Sequence, residues 1–409
     1  MRFALVLAAA AILAAAVPAR AQQQPAIIGV VLSRTPAALA LPAAMIRAGI
    51  EAAVTVANAE DAGKARPVRV VFADDGGTPA GAAAAAEKLM GEGSPVALIG
   101  GQSSAVAPTE MSAAARAGRP FVNVNGWDAG LRLTGIADAF HIAPDPATVP
   151  GMLARSAAAI GAAKVTLVAA AERNAEARAE PLRTAFGGLS PPLEPTFVVV
   201  DLTAKPPPPG IAALRRDPPD LAILLNPGTA GLRLLANLRN SGVAPTAATL
   251  VLDGAGVADA AGFWDDARDA GRMLLSVALH HPGIPLTPRG EAVRRALPPD
   301  LPETRLVHQG ADALLAVVDA LRAAKGTDGA ALAKALDAGA AMGTRGPIRF
   351  RSEIGPRYRQ RLDVPFALVQ HMEPGAPVER ARVVWIPGRP FDASRLARPG
   401  NRPAAGAPR

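Results

Sequence analysis

The segment 96–134, VALIGGQSSAVAPTEMSAAARAGRPFVNVNGWDAGLRLT, holds the residues best suited to grip a small polar molecule. An apolar strand (VALIG) ends in the turn Gln102-Ser103-Ser104, and a helix is predicted to follow as far as Gly118. A second strand (PFVNVN) then opens into a loop with Asn125, Gly126, Trp127 and Asp128. In a parallel sheet that turn falls at the carboxyl ends of the strands, where open α/β sheets take their ligands. A helix starting there exposes unpaired backbone N–H groups that suit a carboxylate or another anion. Ser103 and Ser104 add hydroxyls to the same mouth. The chemistry expected is capture: no acid/base pair stands out, and no catalytic residue is assigned.

Around this segment, strand-like and helix-like stretches alternate from Ala26 to about Asp253. IIGVVL precedes a helix near 42–58, VRVVFADD an Ala-rich helix over 79–90, and VTLVAAA a helix near 175–186. TFVVVDL, LAILLN, a helix near 229–240 and ATLVLDG follow. Apolar strands separated by helices imply an α/β protein whose parallel sheets are covered on both faces. The first sheet is expected over 26–142, and a second after HIAPDP, where two prolines break the pattern. MLLSVAL, a helical stretch over 308–337 and the β-like segments GPIRFR, FALVQHM and ARVVWIP come last.

Composition narrows the function classes. Met1-Arg2, the apolar run 3–17 and Ala19-Arg20-Ala21 read as a secretory signal peptide cleaved before Gln22. No cysteine follows the apolar run, which closes the lipoprotein route, and no later stretch is expected to span a bilayer. The absence of cysteine from all 409 residues excludes disulfides, thiolate catalysis and cysteine-based metal sites. Stability must then come from the core, and a chain of this length is expected to split into two domains. The formal net charge of +8 falls by two on losing Arg2 and Arg20. Five of the remaining arginines lie in a Pro/Gly-rich end, so no basic face for nucleic acid is left.

Taken together, IIGVVL, AGIEAAVTVANA, VVFADDGGTPAGAAAAAEKLM, VALIGGQSS and GRPFVNVNGWDAGLRLT followed by FHIAPDP resemble the periplasmic solute-binding proteins of branched-chain amino acid ABC transporters. The resemblance covers 27–350 and implies the type I periplasmic-binding fold, two Rossmann-like lobes joined by three crossovers around one ligand. On that basis lobe 1 is expected over 22–142 and 281–343, and lobe 2 over 147–272 and 350–388. The crossovers would be 143–146, 273–280 and 344–349, with a disordered tail over 389–409. The resemblance further implies that Gln102, Ser103, Ser104, Asn125, Gly126, Trp127 and Asp128 hold the ligand's carboxylate and backbone. Asn174 stands where the family places an aromatic, and Asp253 is the nearest match to the acid that takes the amino group. Asn226 is a further candidate. An inner-membrane permease is the implied transient partner, with neither cofactor nor metal.

This chain departs from that pattern. Its only tyrosine is Tyr358, so the usual aromatic clamps are missing from the second lobe, and GWDAG lacks the expected hydroxyl. Trp127 is instead expected to stack on a planar or aliphatic ligand and Asp128 to pair with a cationic group. Each site residue also has a purely structural reading. Ser103, Ser104, Asn174 and Asn226 suit helix caps, Trp127 suits a packed core, and Asp128 and Asp253 suit turns. Two other functions compete. A ligand sensor or scaffold on the same fold is one. The other is a serine hydrolase built on Gly101-Gln102-Ser103-Ser104-Ala105, with Asp253 and one of His280, His281 or His308. No HGGG-type segment precedes Ser103, and as strand neighbours His280 and His281 would face opposite ways.

Overall fold

The computed structural model describes residues 24–61, 66–204, 208–260, 262–339, 341–355 and 357–400. The expected signal peptide and its cleavage site lie outside these residues.

The first sheet has five parallel strands in the order β2-β1-β3-β4-β5. They are β1 (Ala26–Leu32), β2 (Val68–Asp74), β3 (Ala97–Gly100), β4 (Phe121–Asn123) and β5 (Ala139–His141). The strands are apolar at consecutive positions because each face is covered. Ile28, Val30, Ile99, Val122 and Phe140 enter the core beneath α1 (Ala37–Glu60) and α10 (Arg305–Ala324). Val31, Leu98, Phe121 and Ala139, pointing the other way, pack under α2 (Pro79–Gly93) and α3 (Ala107–Arg116).

Helix α1 corrects one expectation, since its 24 residues are long and apolar enough to cross a bilayer. Its Ile46, Ile50, Ala53 and Ala57 are fully buried in the first core. Its alanines permit close packing, and α1 and α10 touch through their backbones. A β-carbon on Gly49 would stand 2.0 Å from the Val307 carbonyl oxygen, and one on Gly310 would stand 2.3 Å from that of Ile46.

The second sheet has seven strands in the order β14-β13-β10-β9-β8-β6-β7. Five of them are mutually parallel: β6 (Val165–Ala170), β7 (Thr196–Val200), β8 (Leu221–Leu224), β9 (Leu250–Asp253) and β10 (Leu275–Ala278). Then β13 (Ala367–Gln370) runs antiparallel to β10, and β14 (Arg382–Trp385) antiparallel to β13. The sheet is therefore mixed at one edge. The same alternation fills two cores. Leu167 and Ile223 pack under α4 (Val149–Ala159) and α5 (Ala175–Gly187). Val168 and Leu224 pack under α6 (Pro209–Arg216) and α7 (Gly228–Asn240).

Three boundaries differ from the sequence reading. The expected crossover 273–280 contains β10, an interior strand of the second sheet, so the chain returns to the first lobe after Ala278. The expected crossover 344–349 comes too early. In GPIRFR Pro347–Ile348 pairs with Ala341–Met342, and Phe350, in the first core, bridges antiparallel to Arg361. Gln360 then bridges to His141, so the chain leaves for the second lobe between Arg361 and Phe366. Finally, residues 389–400 are not a free tail. Phe391 and Leu396 pack on the second core. Ala397 exchanges two hydrogen bonds with the Gln370 amide, at 2.8 and 2.9 Å. Proline and glycine gave that segment a disordered composition, and two apolar anchors override it. Residues 401–409 lie outside the description.

Where the chain crosses, the segments are stitched together. The Arg361 N–H donates to the His141 carbonyl and the His141 N–H to the Arg359 carbonyl, both at 3.0 Å, and the Gln360 amide donates to the Ala143 carbonyl at 2.7 Å. Next to them Arg361 and Asp312 form a buried ion pair at 2.7 Å. Thr344 donates to the same carboxylate from its backbone N–H at 2.6 Å and from its hydroxyl at 2.8 Å.

Candidate functional site

Strand order 2-1-3-4-5 places a topological switch between β1 and β3, where a ligand crevice is expected. In this chain the crevice is filled from within. The Gln102 side chain is buried, accepts from the Ser33 N–H at 3.0 Å and donates to the Leu39 carbonyl at 3.1 Å. Gly101 makes the turn possible, with φ +72° and a β-carbon position 2.3 Å from Asn123 Oδ1. Its N–H donates to the buried Glu110 carboxyl at 2.6 Å. The predicted helix begins only at Ala107 and ends at Arg116, so Ser103 and Ser104 belong to the turn before it. Ser104 Oγ accepts from the Trp127 and Asp128 N–H groups at 3.0 and 2.9 Å, tying the two loops together.

Burial pushes the Glu110 carboxyl well above its ordinary value, and the neighbouring Asp75 adds to the shift against the Gly101 hydrogen bond. A raised carboxyl favours the folded state while it stays protonated. That stability is complete below pH 4.5, its ordinary value, and is lost as pH rises toward the folded-state value. Glu110→Gln keeps an acceptor for Gly101 and removes the titration. Urea unfolding is therefore expected to show the wild type losing stability relative to Glu110→Gln as pH rises from 4.5 toward the folded-state value. Parallel pH profiles for the two proteins would refute this.

The loop after β4 builds one wall of an interlobe cleft. Asn123 pins it by accepting from the Gly126 N–H at 2.8 Å and donating to the Gly126 carbonyl at 2.9 Å. Asn125 Oδ1 accepts from Trp127 Nε1 at 3.1 Å and from Arg305 Nη1 at 2.8 Å. The Arg305 guanidinium lies 5.0 Å from the Trp127 ring centre, in a cation–π arrangement. Trp127 also lines a cavity of about 390 Å³ between the lobes. Its other walls are mostly second-lobe apolar side chains, among them Val149, Leu153, Pro181, Leu182 and Leu225, with Asp253 and Asp259 at the ends of their strand and loop.

These two acids differ. Asp253 is buried and its oxygens accept from the Ala255 and Ala258 N–H groups at 3.0 and 2.7 Å, so it holds its own loop. Burial raises its carboxyl against those bonds. Asp259 keeps an exposed surface, yet the cleft walls crowd it. Lost solvation, then the Asp253 charge, push its carboxyl up to about 6, and Arg305 opposes the shift.

The cleft thus unites Trp127 with Asp253, and through Trp127 it draws in Asn125 and Arg305. It does not gather the other candidates. Gly126 is buried and pinned by Asn123. Asp128 is exposed and caps the short helix Ala129–Leu133 through Gly130 N–H. Asn174 is exposed at the start of α5, away from the cavity lining. Asn226 is fully buried and accepts from the Ala170 N–H at 2.7 Å, joining β6 to β8. Arg305 and Asp259 were missed because neither stands in a distinctive motif, and they meet the site only through the tertiary fold.

No hydrolase assembly forms. His308 is held by Glu303 and Thr344, His281 by the Ala381 carbonyl and Gly283 N–H, and Asp253 by its loop. None of the recorded hydrogen bonds among the described residues joins Ser103 to them. The same residues contain no cluster of three or more His, Cys, Asp or Glu suited to a metal.

Residues 25–371 match the family described as periplasmic binding protein. The chain belongs to that family. Similar solved structures agree on a periplasmic binding protein fold. A putative branched-chain amino acid ABC transporter from Rhodospirillum rubrum superposes with a TM-score of 0.67 at 19% identity, covering 88% of this chain and all of that one. A second, from Silicibacter pomeroyi, gives 0.64 at 18% identity, covering 92% of this chain and all of the other. A substrate-binding protein from Desulfitobacterium hafniense in complex with Leu gives 0.58 at 19%, covering 88% of this chain and all of that one. No curated protein matches by sequence. As a periplasmic binding protein, the chain has the family's two α/β lobes, mostly parallel sheets and intervening cleft.

Proposed function

We propose that this periplasmic binding protein is the exported substrate-binding component of an ABC transporter. It captures one small organic ligand in the interlobe cleft by hinge closure and presents the closed form to a membrane permease. The observation that carries the reading is the 390 Å³ cavity, whose apolar walls converge on a few polar groups at Trp127, Asp253 and Asp259. Support also comes from the family match and from neighbours described as ABC transporter proteins, one solved with Leu. Binding needs no covalent step. Of the residues singled out in the sequence, Asn125, Trp127 and Asp253 are assigned to ligand contact or its immediate support. Gln102, Ser104, Gly126 and Asn226 hold the frame.

The test is a thermal-shift screen of the mature protein against amino acids, amides and short carboxylates, with native mass spectrometry to reveal a co-purified ligand. A binder should raise the melting temperature in a concentration-dependent way. Trp127→Ala is expected to weaken the best ligand by about 2 kcal/mol through loss of its aromatic wall. If no compound shifts the protein and none co-purifies, the reading fails. The mass of the exported protein checks the expected cleavage before Gln22.

A further inference from the structure

Arg305 is placed to do more than support Trp127. It is half-buried at the first position of α10, and both recorded side-chain bonds use one nitrogen: Nη1 donates to Asn125 Oδ1 at 2.8 Å and to Gln309 Oε1 at 2.7 Å. Both partners are neutral amides. No carboxylate lies within ion-pair distance among the described residues, although twelve other arginines have one at 3.3 Å or less. The guanidinium is oriented by Asn125, Gln309 and the Trp127 face while its Nε and Nη2 remain without a recorded protein partner. A planar fork held in this way matches a carboxylate in two parallel hydrogen bonds.

A second cation reinforces the field. Arg345 donates from Nη1 to the carbonyl of Leu279, a cavity-lining residue, at 2.8 Å. Its Nε is buried without a partner. Burial lowers both guanidiniums to about 10, and Arg345 also feels the repulsion of Arg305. An anion between the cavity and Arg305 relieves both effects. Its charge must be small, because Asp253 and Asp259 line the same space and would repel a dianion such as phosphate. Arg178, paired with Glu172 at 3.3 Å, and Ser276 also line it, and the rest is mostly apolar.

We propose that Arg305 is the anion receptor of the cleft and that the ligand is a compact monocarboxylate with an apolar body, its carboxylate on the free edge of the Arg305 guanidinium. This rests on the binding reading above and specifies its ligand class. It also moves the carboxylate from the Gln102-Ser103-Ser104 turn to α10.

The experiment titrates wild type, Arg305→Gln and Arg305→Lys with 4-methylpentanoate, phenylacetate, leucine and leucinamide by calorimetry. Circular dichroism and melting without ligand check that each variant folds. Wild type is expected to bind the carboxylates and to bind leucinamide at least tenfold more weakly. Arg305→Gln should lose tenfold or more for every carboxylate, and Arg305→Lys should fall between, keeping the charge without the fork. Equal binding by wild type and Arg305→Gln, or leucinamide bound as tightly as leucine, overturns the proposal and leaves the binding reading intact. If only uncharged compounds from the wider screen bind, the carboxylate assignment falls alone. If nothing binds, both fall.

Discussion

Asp312→Ala is expected to be among the most damaging single substitutions in this chain, lowering the unfolding free energy by about 3–5 kcal/mol. The carboxylate is fully buried and meets Arg361 at 2.7 Å, with two further hydrogen bonds from Thr344. Burial alone would raise its carboxyl, but the charges of Arg361 and Arg345 and the Thr344 N–H hold it below its ordinary value. Removing it leaves the Arg361 cation in the interior, where Nε and Nη2 already lack partners. The linkage sign follows. A depressed carboxyl contributes stability that is present above its unfolded value of about 3.8 and lost as pH falls through the folded value. The difference between wild type and Asp312→Ala in urea should therefore be full at pH 7 and shrink in acid. The double variant Asp312→Leu with Arg361→Leu should recover much of the loss, since an apolar pair leaves no uncompensated charge. A loss below about 1 kcal/mol at pH 7 would refute the assignment.

Gly49→Ala carries the second large effect. The added methyl would meet the Val307 carbonyl oxygen at 2.0 Å, a backbone contact that no side-chain rotation relieves. Helices α1 and α10 must separate, with an expected loss of about 3 kcal/mol. Val307 is two residues from Arg305, so the same shift moves the cleft cation away from Asn125 and Trp127. Ligand affinity should fall together with stability, although Gly49 touches no ligand. Unfolding in urea and ligand titration on the same sample check both. An unchanged melting temperature would show that the helices have room to part.

Much of the fold is legible in the sequence because it rests on local pattern. Ile28-Gly29-Val30-Val31-Leu32 reads as a buried strand whether or not its partner is known, and the order of such strands signals two α/β lobes. Crossings are less legible. Leu275–Ala278 looks like any apolar strand, and only its pairing with Ala367–Gln370 reveals an interior position in the second sheet. The site is least legible. Trp127 and Asp253 are visible as a loop aromatic and a strand-end acid, and both line the cavity. The roles of Gln102 and Asn226 are fixed by backbone groups 56 to 69 residues away in sequence. Arg305 is 180 residues from the asparagine that orients it, and no spacing announces it.

The pairing of α1 with α10 also bears on the order of assembly. The first core joins residues 37–60 to residues 305–324, so one face of the sheet laid down first is only partly covered, by α1, until residues 305–324 arrive. All five parallel strands of the second lobe lie within 165–278 and come together from closer neighbours. Contacts of such long sequence separation form slowly. For a chain that enters a channel N-terminus first, this delay is useful. In the export proposed above, the leading lobe would lack its closing helix until residues 305–324 arrive.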